Sequence, residues 1–325
     1  VLDGVSAFFL LVVGATAVPT SLYAIGYLAG RRRGVPGLGV AYNAFLAAMV
    51  LVPLAANVFT FLVVWELMSL ASYFLVTTDH RVPEIRSAGF LYLVVAHIGA
   101  IAILLAFGVL QLGQWSYTFA AMRDNALTPF WAAVAFLLAL IGFGAKAGFL
   151  PLHVWLPEAH PAAPSPVSAL MSGVMLKTAV YGLLRVAFDL LQGHTWWWGV
   201  TALAVGLVTA FYGVAFAAVQ TDMKRLLAYS SIENIGIVLA GLGLALVFHA
   251  YDMELLAALA LVATLYHALN HALFKSLLFL ATGSVMHATR HRSLGKLGGL
   301  IRRMPWVAGL ALVGTLAIAG LPPLN

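Results

Sequence analysis

About ten stretches of this chain are apolar for close to the 20 or so residues that a helix needs to cross a hydrocarbon layer, and this fixes the fold class before any motif is read. They run 4–29, 38–57, 58–77, 87–110, 129–150, 166–190, 196–218, 226–248, 254–286 and 304–321. Backbone groups in lipid must be satisfied within their own segment, so such runs become helices. The composition agrees: 63% of residues are hydrophobic and 9% charged, where a soluble domain carries about a quarter charged. The expected fold is an all-α, polytopic membrane helix bundle of about ten transmembrane helices. The first run is too long for a cleaved leader and lacks a charged start. Residue 1 is valine, which suggests that the natural start lies further upstream.

The charges sit mainly between the runs. Arg31, Arg32 and Arg33 follow the first, Arg81 and Arg86 the third, Lys224 and Arg225 the seventh, and Arg290, Arg292, Lys296, Arg302 and Arg303 the ninth. If the runs alternate in direction, all four clusters share one side, which the positive-inside rule makes cytoplasmic. Arg123 and Arg185 fall on the other. Cationic loops suit an anionic lipid bilayer surface. No basic run interleaved with aromatics points to nucleic acid, so none is expected as a partner. The absence of cysteine excludes a thiolate-bound iron–sulfur cluster, and no cofactor is expected in this chain.

Four ionisable residues fall where charge is costly. Glu66, Lys146, Lys177 and Lys275 each lie inside an apolar run, where a charge costs on the order of 3 kcal/mol and usually marks an ion path. His267, His271 and Lys275 are spaced four apart, so they form one helical edge drifting about 40° and rising about 6 Å per step. Asn270 widens it. Facing a bundle interior, such an edge holds water and carries protons; the alternative is that the histidines merely bond neighbouring helices. Glu66 suits one of the lysines as a partner. Burial disfavours the lysine's charge and a carboxylate favours it, so a pair of changing separation loads and releases a proton; a static ion pair is the alternative. Glu233 lies within reach of Lys224 and Arg225, and reads equally as a local ion pair or a relay member. His97, at mid-span, is a further candidate for linking the two halves of the chain. His153 and His160 flank prolines. Trp196, Trp197 and Trp198 fit an interfacial aromatic belt, and GYLAG at 26–30 is at most a small-residue helix contact.

Proline interrupts the apolar pattern twice, at Pro151 in AGFLPLH (147–153) and at Pro322 and Pro323 in AGLPPLN (319–325). The parallel suggests an internal repeat with a broken helix at corresponding places, as in many transporters. A plain connecting loop around Pro151, Pro157, Pro161, Pro164 and Pro166 is the rival reading. Lys146 standing just before the first break favours the broken helix.

Four segments carry a family resemblance: WELMSLASYFLV (65–76), KAGFLPLHVWLPEAHPAAPSPVSALMSGVMLKTAVYGLLR (146–185), DMKRLLAYSSIENIGIVLAGLG (222–243) and YHALNHALFKSLLFLATGSV (266–285). Together they resemble the antiporter-like proton-translocating subunits. That family includes membrane-arm subunits of respiratory complex I, Mrp cation/proton antiporters and membrane subunits of energy-converting hydrogenases. SSIENIG followed by GLG is most similar to the hydrogenase 4 and formate hydrogenlyase branch. The resemblance spans nearly the whole chain. It implies two inverted five-helix repeats, the first over 38–190 and the second, incomplete, over 196–325, within a single membrane domain. It also implies that two helices precede the chain and several follow it, together with the second repeat's charged residue. By matching position, Glu66 pairs with the broken-helix lysine Lys146, Lys177 is the connecting lysine, and His267, His271 and Lys275 form the second-half stripe.

The function expected from the sequence is movement of protons through this mid-membrane Glu/Lys/His row. Redox chemistry in other membrane and peripheral subunits would drive it, in a bacterial inner membrane, with no electron transfer in this chain itself. An Mrp-type Na⁺/H⁺ antiporter subunit is the alternative. A bis-histidine haem carrier is disfavoured because His267 and His271 share one face of one helix.

Overall fold

The computed structural model describes residues 2–29, 35–113, 115–192, 195–322 and 324. Arg31, Arg32, Arg33, His194 and Pro323 lie outside the described residues. The helices are α1 (Gly4–Leu28), α2 (Val35–Leu51), α3 (Val58–Val76), α4 (Pro83–Leu110), α5 (Phe119–Arg123), α6 (Pro129–Ala147), α7 (Leu156–Ala162), α8 (Ser165–Leu170), α9 (Leu176–Leu184), α10 (Trp196–Ala218), α11 (Met223–Ala250), α12 (Glu254–Thr289), α13 (Leu300–Arg303) and α14 (Pro305–Ile318). A π-helical turn over Met171–Met175 joins α8 to α9, and a second, Arg185–Leu190, continues them into one span, Ser165–Leu190. Among the described residues nine helices are long and apolar enough to span a membrane, and α14 is a shorter apolar helix. The expected bundle of about ten helices is what forms.

The boundaries follow from local chemistry. Asp3 accepts from Ser6 N ahead of α1, Asn57 from Thr60 N ahead of α3, and Asp222 from Lys224 N and Arg225 N ahead of α11. Each satisfies N–H groups that a helix start leaves unpaired. Prolines enter α4 and α6 at the first turn, where the missing N–H costs nothing. Gly148 and Gly320, in the two similar heptapeptides, both take left-handed backbone (φ 85° and 72°) just past the ends of α6 and α14. A side chain would be strained there, and the chain turns out of the helix.

Burial defines the centre. The Ser165–Leu190 span is buried along its whole apolar window, with α1, α3, α6, α11 and α12 around it. At the rim, α10 is mostly exposed and leans on α11. Gly199, Gly206 and Gly213, spaced by seven, bring the α10 backbone against Gly236 and Gly243: a Cβ on Gly206 would meet Gly236 O at 2.7 Å and Ala240 N at 2.5 Å. In lipid, where there is little hydrophobic drive between helices, such close backbone packing supplies the attraction. Gly206→Val should therefore cost about 1–3 kcal/mol by overpacking, seen as a lower thermal midpoint in detergent; an unchanged midpoint would count against tight α10–α11 packing. At Gly26 of GYLAG nothing lies within 4 Å of an added Cβ. Of the expected tryptophan belt, Trp196 is exposed, but Trp198 is buried and stacked on Phe136 at 4.9 Å.

The described charged loops gather at two opposite ends. Arg292 Nε lies 2.6 Å from Asp222 Oδ2, Arg225 pairs with Glu158, and a cavity of about 500 Å³ joins these groups to Val82 and Glu84. At the other end Arg185 pairs with Asp3 and, at 3.2 Å, with Asp189, which also holds Arg123 at 2.6 Å. Asp3 precedes the first span. Its burial favours protonation, but hydrogen bonds from Arg185 and Ser6 N and the Arg185 charge prevail, lowering its carboxyl from 3.8 to about 2. A lowered folded value means that the stabilisation is complete above 3.8 and fades as pH falls towards 2. The thermal midpoint should accordingly drop over that acid window, and drop less in Asp3→Asn. Equal acid sensitivity in both proteins would refute the tie.

Candidate functional site

The end of α6 is built to bury a lysine. Gly142 brings α4 so close that a Cβ there would meet Gly99 O at 2.8 Å. Where α6 stops at Gly148, Trp155 Nε1 donates to Ala145 O (2.8 Å) and Leu150 N donates to Thr209 Oγ1 (3.2 Å), so side chains take up backbone groups freed by the break. Lys146, 2% exposed, extends into this packing. Its Nζ donates to Ser69 Oγ (2.7 Å) and Tyr92 OH (3.0 Å) and lies 5.1 and 5.7 Å from the Tyr92 and Trp65 ring centroids. Aromatic faces and hydroxyls replace part of the hydration an ammonium loses.

From Lys146 the polar groups continue through Tyr92. Its hydroxyl contacts Ser72 Oγ and lies 3.8 Å from Met175 Sδ on the π-helical turn. A π turn widens the helix and leaves a carbonyl without its usual partner. Here Lys177 Nζ donates to Ser172 O at 2.8 Å. The same ammonium lies 2.7 Å from His271 Nδ1 on α12. When Lys177 carries its proton as an ammonium it can only donate, and Nδ1 then accepts with the ring proton on Nε2. One turn further along α12, Lys275 Nζ donates to Leu227 O of α11 (3.1 Å), and Ser172 Oγ meets Ser231 Oγ at 2.8 Å. Lys177, His271 and Lys275 are all buried. Among the described residues none of the three lysines has a carboxylate within ion-pair distance.

The predicted edge on α12 is thus inward-facing at His271 and Lys275. His267 is half-buried, its ring stacked on His271 at 6.4 Å. Three expectations differ. Glu66 pairs with His97 rather than with Lys146: Glu66 Oε2 is 3.5 Å from His97 Nε2. One residue along an α-helix is about 100° of rotation, so with Trp65 and Ser69 facing inward Glu66 turns to the edge of the bundle. His97 therefore lies on the outer surface, 49% exposed, and does not link the halves. Glu233 makes no ion pair with Lys224 or Arg225; it accepts from Ser230 Oγ at 3.1 Å, because Arg225 reaches Glu158 and Lys224 turns inward. Pro151 lies in the first break and Pro322 beyond α14, both exposed.

Two buried groups escaped the sequence reading. Lys224, counted among the loop cations, is 1% exposed and donates to Ala163 O at 2.6 Å. His160 is fully buried, its ring stacked on Phe279 at 5.0 Å, and neither ring nitrogen has a protein partner; the buried Ser165 Oγ has none either. Buried polar atoms without protein partners are normally satisfied by water. The signal for α7 was Pro157, a proline suited to the first turn of a helix, within the five prolines for which a connecting loop was the rival reading.

The family described as NADH:quinone oxidoreductase/Mrp antiporter, transmembrane, matches residues 55–325. Hydrogenase-4 component B of Escherichia coli K12 is 45% identical over 327 residues, covering 100% of this chain and 48% of the relative. Formate hydrogenlyase subunit 3 of the same organism is 39% identical over 323 residues, covering 98% and 51%. In the structure of the Mrp complex from Dietzia sp. DQ12-45-1b, one chain superposes with a TM-score of 0.88 at 31% identity, covering 99% of this chain and 34% of that one. The chain spans about half the length of the curated relatives it matches. By sequence and by fold it belongs to the NADH:quinone oxidoreductase/Mrp antiporter transmembrane family.

Proposed function

We propose that this chain is part of a proton-translocating membrane subunit of a redox-driven complex of the energy-converting hydrogenase or NADH:quinone oxidoreductase type. Protons pass along Lys146, Lys177, His271 and Lys275 within a bacterial inner membrane. The observation that carries the reading is the Lys177–His271 contact, 2.7 Å, which joins the span after the first break to the α12 edge away from any carboxylate. Amines and imidazoles exchange protons without moving heavy atoms far. A hard cation such as Na⁺ wants several oxygen ligands, and the hydroxyl and carbonyl oxygens along this row are taken up by the lysine amines themselves, so protons are preferred over Na⁺ as the ion carried along it. His97, half-exposed at mid-helix, and Glu66 beside it, one-third exposed, are costly against lipid and suit coverage by a neighbouring subunit.

The test uses the full-length protein in its assembled complex, in sealed everted vesicles. Adding electron donor should acidify the lumen at a rate indifferent to sodium. Proton exchange that needs a sodium gradient and proceeds without any donor would instead establish the Na⁺/H⁺ antiporter reading.

A further inference from the structure

Between Lys146 and the end of the bundle that carries Asp3 and Arg185 lies a cavity of about 290 Å³, room for several waters. Phe61, Phe107, Phe119, Tyr181 and Gly182 line it together with four charged side chains, Asp3, Arg123, Arg185 and Asp189. These four form one continuous chain of ion pairs. Arg123 holds Asp189 through two bonds (2.6 and 2.8 Å), Asp189 accepts from Arg185 (3.2 Å), and Arg185 pairs with Asp3. Arg185 Nε also donates to Tyr181 OH (3.1 Å), which donates to Pro53 O (3.1 Å), tying the lattice to the turn before α3.

The inner wall is aromatic. Phe61 stacks on Trp65 at 5.6 Å and meets Phe143 edge-on at 6.1 Å, while Trp65 meets Phe143 at 5.5 Å. All three are buried. Phe143 lies so close to α9 that a Cβ on Gly182 would come within 2.1 Å of its ring. Beyond this trio, on the side away from the cavity, Lys146 Nζ sits 5.7 Å from the Trp65 centroid. The eight helical steps of α3 from Phe61 to Ser69, the hydroxyl that Lys146 contacts, span only about 12 Å. The site's terminal amine and this cavity are therefore separated by the stacked rings of Phe61 and Trp65, with Phe143 edge-on to both.

We propose that Phe61, Trp65 and Phe143 form a hydrophobic gate between Lys146 and an exit vestibule, and that the Asp3–Arg185–Asp189–Arg123 lattice is the outer latch of that vestibule. The inference rests on the proton-relay reading and adds to it where protons leave the row and what stops them leaking. A constriction of this kind shuts by excluding water rather than by filling every gap. Ring rotation in the trio would admit water from the vestibule and connect Lys146 to the outside. With the gate shut, a proton on Lys146 has only the lateral route through Tyr92 towards Lys177.

The experiment measures passive proton leak in proteoliposomes holding the assembled complex and no electron donor, by the decay of an imposed pH difference. Phe61→Ala and, separately, Phe143→Ala should speed the decay at least about tenfold, the effect of removing about 1.4 kcal/mol of barrier. Adding Lys146→Ala to either should restore the slow decay, because the leak passes that amine. A decay as slow as wild type in both correctly assembled variants overturns the gate. A fast decay that survives Lys146→Ala overturns its placement on the row. Should either variant fail to assemble, Asp3→Asn tests the latch. The described chain has no cysteine, so Ala55→Cys in the vestibule wall can be followed by peptide mass spectrometry. An impermeant thiol reagent added outside should modify it about tenfold faster when combined with Asp3→Asn, and an unchanged rate overturns the latch. No assay here uses electron donor, so a failure of redox-driven pumping would leave these outcomes readable.

Discussion

Lys146→Ala in the assembled complex is expected to lower donor-driven proton movement at least about a hundredfold, the low end of what one positioned proton-transfer group contributes. Electron transfer and assembly should survive. Removing the amine deletes the donor to Ser69 and Tyr92, two hydroxyls that can bond each other's neighbours or a water instead, so the packing loss is modest. The sharper variant is Lys146→Arg. Arginine keeps the positive charge but does not release its proton in any physiological range. If Lys146 acts as a fixed charge, Lys146→Arg should pump; if it hands protons on, Lys146→Arg should fail like Lys146→Ala. Pumping by Lys146→Arg at the wild-type rate would remove Lys146 from the relay.

The second large effect is at the junction of the halves. Lys177→Ala leaves His271 Nδ1 and Ser172 O without their donor, in the interior of the most buried span. Leaving such groups unpaired costs about 1–3 kcal/mol each. This is partly offset because a buried cation with no ion-pair partner is itself unfavourable. The net change in thermal midpoint should be small, whereas proton movement should fall at least about a hundredfold. His271→Ala should give the same loss, and the double variant no further loss, because the two groups act as one step. Additive losses in the double variant would mean that they serve separate routes.

What the sequence made legible follows from its physics. Long apolar runs admit one structural solution in lipid, so the spans were readable to within a few residues, whereas the left-handed glycines 148 and 320 that end their helices were not singled out. Periodicity of four placed His271 and Lys275 on one inward edge. Partner choice was not readable. Glu66 and Ser69 differ by three positions on α3, and which of them meets Lys146 depends on the rotation of α3 about its axis, set by packing of Trp65, Met68 and Ser72. The resemblance favoured Glu66; the packing presents Ser69. Lys224 looked like one more loop cation because its sequence neighbour Arg225 is one, yet it points under α7 at Ala163 O. The π-helical turn at Met171–Met175 has no sequence signature here, and it supplies the carbonyl that holds Lys177.

The central claim is a hydrated line of amines and imidazole inside the bundle. Its most direct test is an electron cryo-microscopy map of the assembled complex at a resolution that displays ordered water. The account predicts water density bridging Tyr92 to Lys177 and continuing past His271 to Lys275, with further waters on the free ring nitrogens of His160. A map in which these side chains are walled apart by close-packed apolar groups, with no water between them, would contradict it.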